Sequence, residues 1–290
     1  GITKPILVLI PQVENIKEIV SNGLEPSLYS FYFLNHFISY LNEYSAGPFP
    51  CHFKINSGLN RVGFKSEEID LAISKIKNCQ KIKLVGLYSH LAASEDENEK
   101  EFTLAQINKF SKTASKISSQ IGSSPILHMS NTSGILNFPE SEFDMVRCGL
   151  GLYGYSNHFD NDLIPIHSLK TVISQIINTE KGETVGYNRS FKCPKKMKIG
   201  IVPLGHADGI SRSFAKGGHV IIDNLKAKII GNICMDVFMV DLEGIDVSEG
   251  DEVIIFNESF TAEDFAKNVN TISYEILTNL SSRIPRKVIG

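Results

Sequence analysis

The sequence predicts an α/β protein in which a partial (β/α)8 TIM barrel is followed by a β-rich C-terminal domain. Up to about residue 155, short β-branched apolar runs alternate with segments of helical periodicity, which is the pattern of repeated βα units. After a polar stretch at 156–162, apolar runs follow one another without long helices between them. We therefore predict two domains, residues 1–162 and 163–290.

Six apolar runs in the first domain predict buried parallel strands, at residues 6–10, 28–31, 51–55, 84–88, 126–129 and 145–150. Helical spacing or a helix cap predicts the intervening helices, at residues 13–21, 30–44, 66–76, 101–121 and 131–136. No Gly-x-Gly-x-x-Gly follows the first strand, and polar residues follow several strands, which favours a barrel over an open doubly wound sheet. A whole barrel takes about 250 residues, so we expect about six of its eight units.

The second domain is predicted to contain six strands, at residues 169–177, 198–204, 219–222, 226–233, 238–242 and 252–256.

Composition excludes several classes of protein. The formal charge is -3 and no basic stripe stands out, which argues against nucleic acid as a partner. No apolar stretch approaches the roughly 18 residues of a membrane helix. The five cysteines are scattered without metal-ligand spacing, so we expect neither a disulfide framework nor a metal site, and a reducing cytoplasm fits best.

Cationic and imidazole side chains follow the third and fourth predicted strands. Lys54 ends a strand, and Arg61 follows in the loop beyond it, so both cations would lie over the barrel mouth. Such charges are costly to bury unless an anion is present, although an internal salt bridge or a surface lysine would also explain them. His90 lies just past the next strand, on the face where barrels gather their sites.

Two later segments have the residue types of a phosphate site. Thr132 opens a short helix in a Ser-Asn-Thr-Ser-Gly run, and hydroxyl residues there serve either as anion ligands or as ordinary caps. Arg147 stands on a predicted strand and is followed by Gly149, Leu150 and another glycine, whose backbone N–H groups can approach a phosphate. Together these segments predict a phosphorylated small molecule at the barrel mouth.

The second domain adds two candidate residues. Tyr187 stands in Val-Gly-Tyr-Asn-Arg, and Met235 in Gly-Asn-Ile-Cys-Met-Asp. By themselves, these two residues are better explained by a buried hydroxyl satisfied by hydrogen bonds and by plain core packing than by a functional role.

In this order and over the whole chain, the motifs resemble the alanine racemase family. The resemblance implies fold-type III architecture, with a barrel that binds pyridoxal 5'-phosphate (PLP) and a β-rich C-terminal domain, in a head-to-tail homodimer. It implies an isomerase that interconverts L-alanine and D-alanine and supplies D-alanine for the peptidoglycan of the cell wall.

The resemblance assigns roles to four barrel residues. Lys54 matches a lysine that is carbamylated in many members, and Arg61 matches the arginine it positions near the substrate carboxylate. His90 matches an imidazole that stacks on the pyridine ring and contacts the catalytic tyrosine. Arg147 matches the arginine bonded to the pyridine nitrogen, and a guanidinium gives that nitrogen no proton, which favours racemisation over side reactions.

Phosphate and substrate contacts are implied in the same way. Thr132 matches the phosphate-binding hydroxyl, where a serine is more usual, and Gly149 and Leu150 match backbone donors to phosphate. Tyr187 matches one of two bases that exchange the α-proton on opposite faces of the substrate, and Met235 matches a residue whose backbone holds the substrate carboxylate. In the family both come from the partner subunit.

The sequence departs from the family pattern at four points. His206 replaces a tyrosine, Asn232 an arginine and Ser282 a tyrosine, which leaves strict specificity for alanine open. No Val-Lys-Ala-x-Ala-Tyr-Gly-like motif with the Schiff-base lysine occurs in the 290 residues. We therefore expect an N-terminally truncated chain that is inactive alone, whose parent is active and is compatible with fusion to a cell-wall ligase.

Two alternatives remain. One is another fold-type III PLP amino-acid racemase or decarboxylase, although a decarboxylase of this group is expected to carry an acidic residue where Arg147 stands. The other is a non-catalytic PLP-binding module that has lost its lysine.

Overall fold

The computed structural model describes residues 1–44, 47–156 and 163–289. These residues form two compact units, one from Gly1 to Gly149 and the other from residue 163 onward together with Leu150–Tyr155. The boundary predicted between residues 162 and 163 adjoins residues 157–162, which lie outside the described part, so its position stays a prediction.

The first unit is a parallel half-barrel. Its sheet has five strands in sequential order: β1 (Leu7–Val8), β2 (Glu25–Leu28), β3 (Phe49–Lys54), β4 (Ile82–Tyr88) and β5 (Ile126–His128). All neighbouring pairs are parallel. Helices connect or follow the strands: α1 (Ile16–Ser21), α2 (Phe31–Tyr44), α3 (Ile69–Asn78), α4 (Lys100–Ile121) and α5 (Thr132–Asn137). Their apolar sides pack against the sheet around buried residues such as Phe33, Phe37, Phe53 and Phe110.

The structure corrects two of the predicted strands in this unit. The second strand ends at Leu28 rather than Phe31, because the Ser30 hydroxyl accepts the backbone N–H of Phe33 and starts α2. The strand predicted at 145–150 is not formed. Only Met145 bridges to β5, after which the chain turns into a short 3-10 segment at Leu150–Tyr153.

The second unit is an antiparallel β structure, as predicted for a β-rich domain. Its seven-stranded sheet has the order β6-β14-β11-β12-β13-β10-β7, and a separate hairpin pairs β8 with β9. The strands are β6 (Leu169–Val172), β7 (Gln175–Thr179), β8 (Thr184–Val185), β9 (Phe191–Lys192), β10 (Met197–Val202), β11 (His219–Ile222), β12 (Leu225–Ile230), β13 (Phe238–Asp241) and β14 (Glu252–Phe256).

The strand predicted at 169–177 is two strands, β6 and β7. Between them Ile173 donates its N–H to the carbonyl of Asp251, and Ser174 donates to the carbonyl of Ile201. Since β6 and β7 occupy opposite ends of the strand order and only two residues join them, the sheet curls enough to bring the end of β6 next to the start of β7. Helices α6 (Ala262–Lys267) and α7 (Ser273–Asn279) follow the last strand and were not predicted.

Among the described residues, no helix is both long enough and apolar enough to cross a membrane.

Candidate functional site

The sheet register of the first unit aligns three polar side chains at the C-terminal ends of its strands. Lys54 on β3 pairs with Tyr88 on β4, and Tyr88 pairs with His128 on β5. Because alternate residues of a strand face the same side, His52 shares the face of Lys54. The half-barrel thus gathers one amine, one phenol and two imidazoles at its mouth, where sites form on parallel barrels.

Lys54 is buried, with only 5% of its surface exposed, and its Nζ lies 4.3 Å from the centre of the Tyr88 ring. No carboxylate among the described residues pairs with it. Burial, with repulsion from Arg147 and Arg61, lowers the pKa of Lys54 to about 6. At neutral pH its amine is therefore mostly uncharged, while the guanidinium of Arg61 is exposed in the loop beyond β3.

The guanidinium of Arg147 is held by two backbone carbonyls and two imidazole nitrogens. Its Nη2 donates to the backbone carbonyls of Ser89 at 2.8 Å and Met129 at 3.0 Å, and it lies 3.2 Å from Nδ1 of His90. Its Nη1 lies 2.6 Å from Nδ1 of His128. Burial lowers the pKa of Arg147 to about 10, so it remains a cation at neutral pH.

The imidazoles around Arg147 are neutral. Burial, followed by repulsion from Arg147, lowers the pKa of His90 to about 3 and that of His128 to about 2. A neutral imidazole keeps one lone pair and can accept a hydrogen bond from the guanidinium. The resulting cluster holds a positive charge at Arg147 with no carboxylate bonded directly to it among the described residues, so an anion would be favoured there.

His52 and Glu25 extend this cluster, and neither was singled out from the sequence. Nδ1 of His52 lies 2.9 Å from Nε2 of His128, and Nε2 of His52 lies 3.0 Å from a carboxylate oxygen of Glu25. The period-2 alternation that places His52 on the face of Lys54 was the available signal. The sequence carried no signal for Glu25, because its contact depends on the pairing of β2 with β3.

The predicted phosphate-binding residues lie just beyond β5. Asn131 caps α5 by accepting the N–H of Gly134, and buried Thr132 is the first residue of that helix. The backbone N–H of Gly149 donates to the Thr132 hydroxyl at 3.3 Å. The structure therefore joins Thr132 to Gly149, whereas Leu150 is buried in the core of the second unit.

The second unit contains a pocket of about 690 Å³ whose walls are mostly apolar. Tyr187 and Met235 both line it, together with Ile177, Val185, Ile199, Ile201, Cys234, Asp236 and Met239. The Tyr187 side chain is 73% exposed, so its hydroxyl is available to a ligand. Gly205 lies against the backbone of Met235, where a side chain on Gly205 would clash with the Met235 carbonyl.

One arginine connects three separate segments of this unit, which carry Asp208, Asp236 and Arg283 itself. Arg283 donates from Nε and Nη2 to the carboxylate of Asp208, at 2.7 and 3.0 Å, and from Nη2 to Asp236 at 2.6 Å. The Asp208 carboxylate also accepts the N–H of Gly205. Hydrogen bonds from Arg283 hold the pKa of Asp208 below its usual value.

Three of the four departures from the family pattern, His206, Asn232 and Ser282, lie in this unit. His206 is exposed and donates its backbone N–H to the carbonyl of Cys234. Asn232 lies beside the segment that carries Tyr187. Ser282 directly precedes Arg283 and is exposed. No group of three potential ligands among the described residues is arranged to hold a metal ion.

Comparisons with known proteins agree across both units. Residues 1–157 match the family model for the alanine racemase N-terminal domain, and residues 166–288 match that for the C-terminal domain. The chain is 36% identical to an alanine racemase of Clostridium tetani, covering 100% of this chain and 78% of the relative. It is 34% identical to an alanine racemase of Clostridium acetobutylicum, with the same coverage.

Solved structures give the same result. The alanine racemase of Clostridium difficile superimposes with a TM-score of 0.89 at 34% identity, covering 98% of this chain and 76% of that one. The alanine racemase of Bacillus anthracis, solved with bound L-Ala-P, superimposes with a TM-score of 0.90 at 27% identity, covering 98% and 75% of the two chains.

Proposed function

The chain belongs to the alanine racemase family, and we propose that it interconverts L-alanine and D-alanine with PLP as its cofactor. The observation that carries this proposal is Arg147, a cation held by neutral acceptors at the mouth of the half-barrel. A guanidinium in that position suits an anionic, nitrogen-containing cofactor, and it does not give up its proton at neutral pH.

The residues of the first unit fit PLP. The cofactor is anionic, and Arg147 carries a positive charge without a directly bonded carboxylate among the described residues. Arg147 would hold the pyridine nitrogen, and His90 would support the ring. Thr132 and the backbone of Gly149 and Leu150 would hold the phosphate.

PLP supplies the electron withdrawal that makes the α-proton of an amino acid acidic enough to remove. The side chains of this chain then decide which bond breaks and where the proton goes. Arg147 offers hydrogen bonds but no proton, which favours return of a proton to the α-carbon over competing outcomes. Arg61 would bind the substrate carboxylate, together with the backbone of Met235.

Racemisation needs a proton acceptor on each face of the substrate α-carbon, because the proton leaves one face and returns to the other. Tyr187 is the base that we propose for one face. The family resemblance gives the opposite face to a lysine in a Val-Lys-Ala-like motif, and no lysine of the 290 residues stands in such a motif. These residues alone are therefore expected to lack racemase activity.

Lys54 has the chemistry needed for carbamylation. An uncharged amine attacks CO2 to form a carbamate and releases one proton, and the low pKa of Lys54 keeps its amine uncharged at neutral pH. The product is an anion, which the neighbouring positive charges of Arg147 and Arg61 would stabilise. We propose that a carbamate on Lys54 orients Arg61.

We propose that a second copy of the chain completes each active site, with Tyr187 and Met235 reaching the cofactor of the partner. Mixing Tyr187→Phe with Arg147→Ala then tests the arrangement in the complete gene product. Each mixed dimer has one site with both residues intact, so random pairing restores activity in about a quarter of all sites. Activity that stays at the level of the separate variants would rule out shared sites.

The direct test is D-alanine formation from L-alanine by the complete gene product with PLP, compared with the 290-residue chain. Tyr187→Phe should lower kcat by about 100- to 10,000-fold, as for loss of a general base. In D2O the variant should still exchange the α-hydrogen of the one enantiomer that faces the other base.

Tyr32→Phe is the matched control, since Tyr32 is 65% exposed on α2 and has no proposed role. If Tyr187→Phe keeps full activity, or loses α-hydrogen exchange equally for both enantiomers, Tyr187 is not one of two opposed bases. If no D-alanine forms in the complete gene product, the racemase proposal is wrong.

A further inference from the structure

A chain of hydrogen bonds leads from the active-site arginine across the half-barrel to one carboxylate. Nη1 of Arg147 lies 2.6 Å from Nδ1 of His128, and Nε2 of His128 lies 2.9 Å from Nδ1 of His52. Nε2 of His52 lies 3.0 Å from Oε2 of Glu25. The chain runs from Arg147 through β5 and β3 to the start of β2.

The two ends of this chain fix its direction. Arg147 can only donate, and the Glu25 carboxylate can only accept. Both imidazoles are neutral, since burial lowers the pKa of each, so each carries one N–H and one lone pair. All three hydrogen bonds form together only if His52 and His128 both carry their proton on Nε2 and accept on Nδ1.

The surrounding residues hold the two rings in this arrangement. His52 reaches over β4 to His128 because residue 86 is glycine, and a Cβ at Gly86 would clash with the His52 ring. Tyr88 stacks on His128 with ring centres 4.8 Å apart and planes within 1° of parallel. The Tyr88 hydroxyl in turn donates to Ser27 at 2.7 Å.

We propose that Glu25 is a positioning residue that sets the tautomers of His52 and His128 and thereby directs Nη1 of Arg147. Its carboxylate contacts Arg147 only through the two imidazoles. Without the Glu25 acceptor, no hydrogen bond favours the tautomer of His52 that carries its proton on Nε2. If that proton moves to Nδ1, His128 must present an N–H to Arg147, and two donors then face each other.

The tautomer assignment stands on the geometry of the cofactor-free chain, and only its effect on catalysis rests on the proposed function. The assignment is therefore tested first without cofactor, by ¹⁵N NMR of the imidazole nitrogens. The chain has eight histidines, so signals can be assigned with single His→Gln variants. Both rings should show a protonated Nε2 and an unprotonated Nδ1, with a coupling across the bond from His128 to His52.

Glu25→Ala should give mixed tautomers on both rings and abolish that coupling, whereas Glu25→Gln, whose amide oxygen still accepts, should keep the original tautomers. Glu18→Ala, an exposed position on α1, is the control and should change nothing. A protonated Nδ1 on either ring of the unsubstituted chain would overturn the proposal, and so would unchanged tautomers in Glu25→Ala. If Glu25→Ala does not fold, Glu25→Gln decides the question. Protonated Nε2 on both rings in Glu25→Gln supports the proposal, and a protonated Nδ1 on either ring overturns it.

The catalytic consequence is measured separately in the complete, PLP-loaded gene product. Glu25→Ala should lower kcat by about tenfold or more with little change in KM for alanine, because the wrong tautomer costs transition-state stabilisation rather than binding. Glu25→Gln should recover most of the loss. If the two histidines have the expected tautomers but the complete gene product forms no D-alanine, only the racemase proposal is wrong. If Glu25→Ala alters the tautomers but leaves racemisation unchanged, only the catalytic role of Glu25 is wrong.

Discussion

Asn232 holds the backbone of Tyr187, with its side-chain Nδ2 donating to the Tyr187 carbonyl at 3.0 Å. The segment around this tyrosine needs such support, because Asn188 and Arg189 have φ angles of 59° and 52°. Non-glycine residues in this left-handed region are strained and persist only where neighbouring contacts hold them. A residue that departs from the family pattern thus positions the proposed base.

Asn232→Ala is expected to lower kcat/KM for alanine by about two- to tenfold, since one hydrogen bond contributes about 0.5 to 1.5 kcal/mol. The measurement is racemisation by the complete gene product at several alanine concentrations. Asn42→Ala, exposed on α2, provides the control and should leave kcat/KM unchanged. Equal activity of Asn232→Ala and the control would show that the segment needs no support from Asn232.

Lys54→Met is expected to stabilise the first unit at pH 7 by about 1 to 4 kcal/mol in CO2-free buffer, because it replaces a buried ionisable group with an apolar one. The pKa of Lys54 is about 6 in the folded chain and near 10.5 unfolded. Between these values the unfolded state holds a proton that the folded state lacks, so stability due to Lys54 rises with pH.

Between pH 7 and 9 the free energy of unfolding of the parent chain should therefore rise by a contribution from Lys54 that the variant lacks. Urea unfolding at both pH values measures this difference. Exposed Lys65→Met should leave that pH dependence intact. A Lys54→Met chain that is less stable than its parent, or that keeps the same pH dependence, would mean that the Lys54 amine is charged in the folded state.

Arg283→Ala is expected to destabilise the second unit more than the loss of an exposed ion pair does. It leaves the buried carboxylate of Asp208 with the hydrogen bond from Gly205 but without its arginine partner. The contribution of Asp208 is present above its unfolded pKa and is lost as pH falls through its lowered folded pKa, so the difference between variant and parent should shrink in acid.

Chemical denaturation at pH 7 and at pH 3 measures this difference. Lys170→Ala removes an exposed ion pair with Glu252 and should cost less than about 1 kcal/mol at either pH. If Arg283→Ala is no more costly than this surface change, Arg283 does not secure the segments that carry Asp208 and Asp236.

Gly86→Ala is expected to destabilise the first unit by about 1 to 3 kcal/mol, because the added methyl group clashes with the ring of His52 in a packed interior. Urea unfolding measures the loss. Gly47→Ala is the control, since nothing lies close to the position of its Cβ. Full stability in Gly86→Ala would show that His52 does not need to cross β4 at this point.

The sequence predicted the bounds of strongly periodic strands well. It failed where tertiary contacts determine whether a strand forms. Strands β11 and β14 have the predicted bounds, because their apolar runs end at clear turn residues. The predicted strand at 145–150 failed because the Gly149 N–H donates to Thr132 instead of joining a ladder. Periodicity cannot show such a contact between distant segments.

Some residues of the candidate site could be predicted from motifs, and others could not. The order of the motifs indicated Arg147 and Tyr187, and the roles given to these two residues stay predictions. Glu25 and His52 could not be found by motif, because they are linked to Arg147 only through His128. That link depends on the register of the sheet and on the space that Gly86 leaves for the His52 ring. Asp208 and Arg283 stand in separate loops of the second unit, and their ion pair depends on how those loops fold together.

The two-residue connection between β6 and β7 has a consequence for synthesis of the chain on the ribosome. β6 is the first strand of the second unit, yet its partner in the sheet is β14, which ends at Phe256. Pairings between residues so distant in sequence form slowly. The edge of β6 must therefore wait unpaired until almost the whole chain has been translated, a period in which a chaperone could bind it.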